Sequence, residues 1–177
     1  MKILALSGSP RKKGNSVRLL DEFCRGAEAA GHEVLFFDVA HMNIHACLAC
    51  NACRIDGSCF QQDGMQEIYP HLVDADAIVL ATPLYYFGMS AQLKLVIDRF
   101  YGVNEALRAH PKQAVLLAAC GDAEEDTLDA LLAHYKALCS YCHWQDRGQA
   151  LAIGVYDIGA VEGLPCLQEA YELGKSL

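Results

Sequence analysis

Ser7-Gly8-Ser9-Pro10-Arg11-Lys12-Lys13-Gly14-Asn15-Ser16 is the stretch whose reading decides the fold. Ahead of it, residues 2–6 carry Ile3, Leu4 and Leu6 in a short apolar run that suits a buried strand. Behind it, Leu20, Phe23, Cys24 and Ala27 recur at the spacing of one helical face, so the stretch joins a strand to a helix. Ser7, Ser9 and Ser16 supply hydroxyls, Asn15 an amide and Arg11 a forked cation, while Gly8 and Gly14 let the backbone turn. Several N–H groups can then face one point at the positive end of a helix dipole. Such a nest favours an anion, most often a phosphate. The plainer alternative is an ordinary loop with a helix cap at Asn15.

Two common phosphate loops are excluded. A Walker loop needs four residues between its glycines and then Lys-Ser/Thr. Here five residues separate Gly8 from Gly14, and Asn15 stands where the lysine would be. Gly-x-Gly-x-x-Gly is absent too, which removes the usual dinucleotide fingerprint.

With 177 residues and 53% apolar content, the chain is expected to form one domain around one substantial core. A net charge of −8 argues against a nucleic-acid-binding surface. No apolar run approaches the roughly 20 residues of a membrane helix, and the N-terminus passes directly into a strand, so neither a membrane span nor a signal peptide is expected. The expected location is the cytoplasm. In a reducing cytosol the nine cysteines are expected to bind metal, take part in catalysis or lie buried rather than pair as disulfides.

Along the rest of the chain, Gly31 is a C-terminal stop for the first helix, and residues 34–39 read as a second strand. A short helix is expected over residues 64–73, with Met65, Ile68, Tyr69 and Leu72 on one face. Residues 77–81 form a third, continuously apolar strand, ending in the aromatic stretch Thr82-Pro83-Leu84-Tyr85-Tyr86-Phe87-Gly88-Met89. Leu93, Val96, Ile97 and Phe100 mark another helix, with Lys94 and Asp98 spaced to pair. Residues 114–120 are a fourth strand ending at Gly121-Asp122. The next helix is expected to carry Glu124, Glu125 and Asp126 in its first turn and a stripe from Leu128 to Cys142. Residues 150–155 are a fifth strand, and Pro165 opens a last helix.

Strand and helix alternating five times predict an α/β fold: a doubly wound five-stranded parallel sheet in the order 2-1-3-4-5, helices on both faces. Ligands of such sheets sit beyond the carboxyl ends of the strands, where loops 7–16, 82–89 and 119–122 are expected to converge. FMN suits that convergence. Loop 7–16 would hold its phosphate, Tyr85, Tyr86 and Phe87 would pack on or around its ring, and Gly121 would allow close approach. Ser9, Arg11, Gly14, Asn15, Ser16, Thr82, Pro83, Leu84, Tyr85, Tyr86, Phe87, Gly121 and Asp122 are therefore the candidate cofactor-binding residues. For the aromatics, simple packing under a loop is the other reading.

Gly8-Ser9-Pro10-Arg11…Gly14-Asn15-Ser16, Thr82-Pro83-x-Tyr85 and Lys94…Asp98-Arg99 resemble the flavodoxin-like NAD(P)H-dependent FMN reductases. With the cysteine segment added, the resemblance is to their iron–sulfur flavoprotein branch, and it covers nearly the whole chain. It implies tightly bound FMN, NAD(P)H as donor, redox activity and a homodimer or homotetramer. It also implies that Ser9, Arg11, Asn15 and Ser16 carry the phosphate, and that Pro83 to Phe87 form the flavin-ring loop. Ala49 replaces a glycine common before the second cysteine in that branch, and Asp63-Gly64-Met65 replaces the usual Asp-Asp-Met.

Cys47, Cys50, Cys53 and Cys59 offer four thiolates from a loop of 13 residues, with Gly57 helping it curl back. Three cysteines at successive two-residue gaps resemble cluster-binding runs. A [4Fe–4S] cluster, zinc and no metal at all stay open as readings. His45 reads as an ordinary loop histidine. Cys139 and Cys142 fall on an apolar helical stripe and, like Cys24, read as small core residues; Cys120 lacks an evident partner base, so no nucleophile is assigned. The expected function is an FMN-dependent oxidoreductase drawing on NAD(P)H and passing electrons to a small-molecule or protein acceptor. A flavodoxin-type electron carrier and a zinc-binding regulatory module without flavin are the rival readings.

Overall fold

The computed structural model describes residues 1–56, 58–124 and 126–177. Gly57 and Glu125, both given roles above, lie outside the described residues. The sheet begins with β1 (Lys2–Ser7), β2 (Glu33–Asp38) and β3 (Ala77–Tyr85), continues through a two-residue strand β4 (Gly88–Met89), and ends with β5 (Gln113–Ala119) and β6 (Gln145–Ala152). Its order is β2-β1-β3-β5-β6, parallel throughout, with β4 antiparallel to the end of β3. Setting β4 aside, this is the expected 2-1-3-4-5 order.

The helices are α1 (Asn15–Ala29), α2 (Ala52–Asp56), α3 (Met65–Asp74), α4 (Ala91–Arg99), α5 (Asn104–Ala109), α6 (Asp129–Cys142) and α7 (Pro165–Ser176). The central strands are apolar without alternation because both their faces are covered. Leu4, Leu6, Ile78, Leu80 and Leu116 pack on one side against Ile68, Leu93 and Tyr135 from α3, α4 and α6. Ile3, Ala5, Val79, Ala81 and Leu117 pack on the other against Leu19, Phe23 and Ala170 from α1 and α7. Successive residues of each strand thus feed opposite cores. Gly31 ends α1 at φ +80°, Pro165 opens α7, and Lys94 meets Asp98 at 2.6 Å. Among the described residues, no helix is long and apolar enough to cross a membrane.

The largest departures from the expected boundaries lie in three elements. The last strand spans Gln145–Ala152 rather than 150–155, because β6 is the edge strand and its polar Gln145 and Asp146 are solvated while still paired with Gln113 and Ala114 of β5. The third strand runs on to Tyr85, its end held by the hairpin to β4. The sixth helix starts at Asp129, not near 124. Asp122 pins the intervening turn, accepting from the Thr127 hydroxyl at 2.9 Å and the Glu124 N–H at 3.3 Å. Glu124 and Asp126 therefore precede the helix, and Asp129 is the acid in its first turn.

Candidate functional site

A cavity of about 280 Å³ opens at the carboxyl ends of β1, β3, β5 and β6. The first loop contributes Ser9, Arg11, Gly14, Asn15 and Ser16; the end of β3 contributes Pro83, Leu84 and Tyr85; the loop after β5 contributes Gly121 and Asp122. Val155 and Tyr156, after β6, complete it. The convergence expected of three loops is thus one of four.

Short internal bonds hold the first loop. The Ser9 hydroxyl donates to the Arg11 carbonyl at 3.0 Å and accepts the Arg11 N–H at 3.2 Å; the Gly14 N–H donates to the same carbonyl at 2.9 Å. A Cβ on Gly14 would stand 2.8 Å from the Ser9 oxygen, so glycine is required for this closure. Ser90 anchors the loop from behind by donating to the Gly8 carbonyl at 2.6 Å while it caps α4. Thr82 is buried and does not line the cavity. Its hydroxyl accepts the Ser90 N–H at 2.9 Å and so ties the β3 end to that anchor.

Helix α1 starts with neither a side-chain cap nor an acidic residue in its first turn. Its first N–H groups and its dipole are thus left for an anion, with the buried Ser16 hydroxyl on the cavity wall. Arg11 stands at the rim, its Nη1 donating to the Tyr156 carbonyl at 3.1 Å and its guanidinium 5.9 Å from the Tyr156 ring centre.

Asn15 takes a different part from the one expected of it. Its amide nitrogen donates to the Val155 and Asp157 carbonyls at 3.0 and 2.9 Å, and its oxygen accepts from the Gly159 and Val161 N–H groups at 3.1 and 3.4 Å. All the capacity of that side chain is committed to residues 155–161. Asn15 is a clamp on the fourth loop, and only its backbone is free to meet a ligand. Gly121 also changes role: the group that comes close to it is the Tyr156 ring, whose Cδ2 would lie 2.8 Å from an added Cβ.

The aromatic stretch divides. Tyr85 lines the cavity, whereas Tyr86 and Phe87 form the two-residue tip of the β3–β4 hairpin. Both tip residues have positive φ, 47° and 62°, a conformation that costs bulky residues of order 1–3 kcal/mol each. Tyr86 is 101% exposed. The tip borders a second hollow of about 260 Å³, which shares Leu84, Gly121 and Asp122 with the first. Cys120 lies there as a buried thiol donating to the Asp122 carbonyl at 3.3 Å, and burial pushes its pKa up. It is not an activated nucleophile.

The four cysteines of the 47–59 segment all line one small cavity of about 20 Å³, with Tyr69, Arg99 and Tyr101. Beneath it lies a buried ion pair: Arg99 and Asp63 are 1% and 0% exposed, with Nη1 to Oδ2 at 2.6 Å. Arg99 Nη1 also donates to the His45 carbonyl at 2.9 Å, and Nη2 reaches the Cys59 sulfur at 3.4 Å. Asp63 accepts the His45 and Met65 N–H groups at 3.0 and 3.1 Å. The pair therefore grips both ends of the cysteine loop. Burial pushes the Asp63 carboxyl up, but hydrogen bonds from Arg99, His45 and Met65 outweigh it and hold the carboxyl below its ordinary range. Tyr69 donates to the Arg99 carbonyl at 3.2 Å, and burial pushes its phenol up to about 12, so it remains a donor. His45 itself is exposed, its Nδ1 3.4 Å from Asp63.

A parallel sheet in this order, with an anion-ready helix start and an open cleft at its strand ends, is a flavodoxin-like protein. The NADPH-dependent FMN reductase family model matches residues 1–156, and the chain belongs to that family. An iron–sulfur flavoprotein of Archaeoglobus fulgidus is 36% identical over 128 residues, covering 71% of this chain and 58% of that protein. Another, from Methanocaldococcus jannaschii, is 38% identical over 99 residues, covering 56% of this chain and 51% of that protein. The chain thus spans about half the length of these curated relatives, 58% and 51%. Among solved structures, an NAD(P)H:quinone oxidoreductase from Methanothermobacter marburgensis has the same fold, with a TM-score of 0.75 at 23% identity over 99% of this chain and 95% of that one.

The residues present fit FMN. The helix start and Ser16 suit a phosphate, and Leu84, Tyr85, Val155 and Tyr156 give the remainder of the cleft apolar and aromatic walls. For an iron–sulfur cluster the donors fit in kind and number, four thiols on one cavity with a buried guanidinium at Cys59. Among the described residues, no three metal-ligating side chains are gathered into a preformed site.

Proposed function

We propose that the chain is an FMN-dependent oxidoreductase that accepts electrons from a reduced nicotinamide nucleotide, and that Cys47, Cys50, Cys53 and Cys59 hold a [4Fe–4S] cluster as its one-electron outlet. The observation that carries the reading is the cleft itself, where an uncapped helix start and an aromatic wall meet at the strand ends. FMN bound there would supply the redox chemistry. The chain supplies position: first-turn N–H groups, Ser16 and Arg11 hold the phosphate end, while Pro83, Leu84, Tyr85 and Tyr156 flank the ring. Thr82 and Asn15 act one step back, by fixing the loops that touch it. Among the described residues, none of the lining side chains is a buried general acid or base.

The cleft and the cysteine cavity have no described lining residue in common. This supports a homodimer or homotetramer in which one subunit's cysteine loop lies near the FMN of another, within a reducing cytoplasm that keeps the thiols available.

Anaerobic purification followed by FMN, iron and sulfide analysis and an NAD(P)H oxidation assay tests the proposal. FMN with iron, sulfide and steady-state turnover is the expected result. FMN without turnover would favour an electron carrier, and a colourless zinc-loaded protein would overturn the flavin reading. FMN with turnover but no iron or sulfide, even after reconstitution, would leave a simple FMN reductase. Ultracentrifugation tests the assembly, since a monomer at micromolar concentration with full internal electron transfer contradicts it.

A further inference from the structure

A second cavity, of about 460 Å³, opens between the cysteine loop and the C-terminal end of α6. It shares no described lining residue with the 280 Å³ cleft, and its volume falls in the range that accepts a small organic molecule. Tyr101 and Tyr141, 43% and 52% exposed, bring two phenol rings to it. Arg54, from α2, and Arg108, from α5, bring two guanidinium groups.

The Arg108 group is already oriented. Its central carbon lies 4.7 Å from the centre of the Tyr141 ring, and its Nε donates to the Tyr141 carbonyl at 3.0 Å. One of five N–H donors is thereby used and the plane of the fork fixed, which lowers the entropy cost of the next hydrogen bond. Tyr141 is fixed in turn, because its hydroxyl donates to Asn104 Oδ1 at 3.2 Å. Arg54 is exposed at the mouth. Among the residues whose side chains are described, Glu105 is the carboxylate lining the cavity, and the Asn104 amide donates to it at 3.2 Å.

In a chain of net charge −8, a hollow whose described lining holds two arginines and one carboxylate is a local reversal of sign. A small polyanion would leave the phenol rings and the apolar Val103 and Ala106 unused. A neutral aromatic molecule would bury the Arg108 fork without a partner. A flat ring carrying one carboxylate satisfies both, its ring against the phenols and its oxygens on the guanidinium N–H groups.

We propose that this cavity binds aromatic carboxylates, with the carboxylate held by Arg108 and Arg54 and the ring lying between Tyr101 and Tyr141. Cys53 lines the same cavity, so the occupant lies against the cysteine loop. The site shares no described lining residue with the flavin cleft and meets the proposed cluster ligands only at Cys53.

Calorimetric titration of the FMN-loaded protein with naphthoate tests it, with naphthamide as the neutral isostere and a parallel titration without FMN. One site per chain is expected, unchanged by FMN, with naphthoate at least about tenfold tighter than naphthamide. Arg54→Gln and Arg108→Lys should each weaken naphthoate about fivefold or more, and Glu105→Gln should tighten it. Arg54 is exposed, so its variant keeps the test open if Arg108→Lys folds poorly. Absence of binding at millimolar naphthoate, equal affinity for the amide, displacement by FMN, or indifference to Arg54→Gln would each overturn the proposal. Failure of the protein to bind FMN shows separately, as no bound flavin absorbance after the loaded sample is desalted.

Discussion

Arg99→Met removes the cation from the buried pair beneath the cysteine loop. The loss is large because Asp63, 0% exposed, stays behind without its 2.6 Å partner. Breaking one side of a buried pair costs about 3–5 kcal/mol. The His45 and Met65 N–H groups still bond the carboxylate, which places the expected cost near the lower end, about 3 kcal/mol. Urea unfolding followed by circular dichroism measures it. A second effect is local: the His45 carbonyl and Cys59 sulfur lose the same guanidinium, so the cysteine loop is cleaved faster in limited proteolysis while β1 and β3 stay protected. The pH dependence has a defined sign. The folded Asp63 carboxyl lies below its unfolded value of 3.8, so the pair contributes stability above that pH and loses it as pH falls through the folded value. Wild type should therefore destabilise more steeply than Arg99→Met below about pH 4. A variant that loses less than about 1 kcal/mol, as an exposed pair would, with unchanged loop proteolysis, refutes the clamp.

Gly121→Val should lower FMN affinity at least about tenfold with little change in fold, since its side chain collides with Tyr156; equilibrium dialysis of FMN measures it. Asn15→Ala strands two carbonyls and two N–H groups of the 155–161 loop. It should cost about 2–4 kcal/mol in urea unfolding and weaken FMN indirectly, whereas Asn15→Asp, which keeps only the acceptor, should fall between it and wild type. In metal-free protein, iodoacetamide followed by mass spectrometry should modify exposed Cys47 and Cys50 first. Cys24, pushed by burial to about 12, and Cys139 and Cys142, pushed to about 11, should react only on unfolding.

Much of this was legible because the determinants are local. Continuous apolar runs at residues 3–6 and 77–81 suit strands covered on both faces, and the glycine-flanked stretch between strand and helix reads as an anion loop without any partner. Cys139 and Cys142 are buried, as their helical stripe implied. The parts that stayed hidden depend on residues far apart in sequence. Nothing near Asn15 reveals that its amide is spent on residues 155–161, about 140 positions away. Tyr156 was missed although a topological signal existed: the last strand also ends at the ligand edge, so its following loop had to border the cleft. Asp98-Arg99 reads as ordering structure or an interface rather than moving a proton, but nothing near Arg99 names its partner, Asp63, 36 residues upstream. Edge strand β6 was shortened because a half-solvated strand carries a polar sequence, which a search for apolar runs passes over.

The cleft is assembled from the two ends of the chain, and this couples ligand retention to folding. Its phosphate side belongs to the first strand–helix junction, its far wall to the segment after the last strand. The joint between them is polar and specific: four hydrogen bonds from Asn15, the Arg11 bond to the Tyr156 carbonyl, and Arg18 paired with Glu162 at 2.7 Å. An exposed pair such as Arg18–Glu162 adds little by itself, so the buried Asn15 bonds carry the joint. Helix α7 then packs on α1 through Phe23 and Ala170, closing the same face. A ligand that touches both Ser16 and Tyr156 binds only when β6 and α7 are docked, and so stabilises the last elements of the chain along with the first. The Asn15 side chain, wholly engaged with residues 155–161, therefore governs ligand affinity without touching the ligand itself.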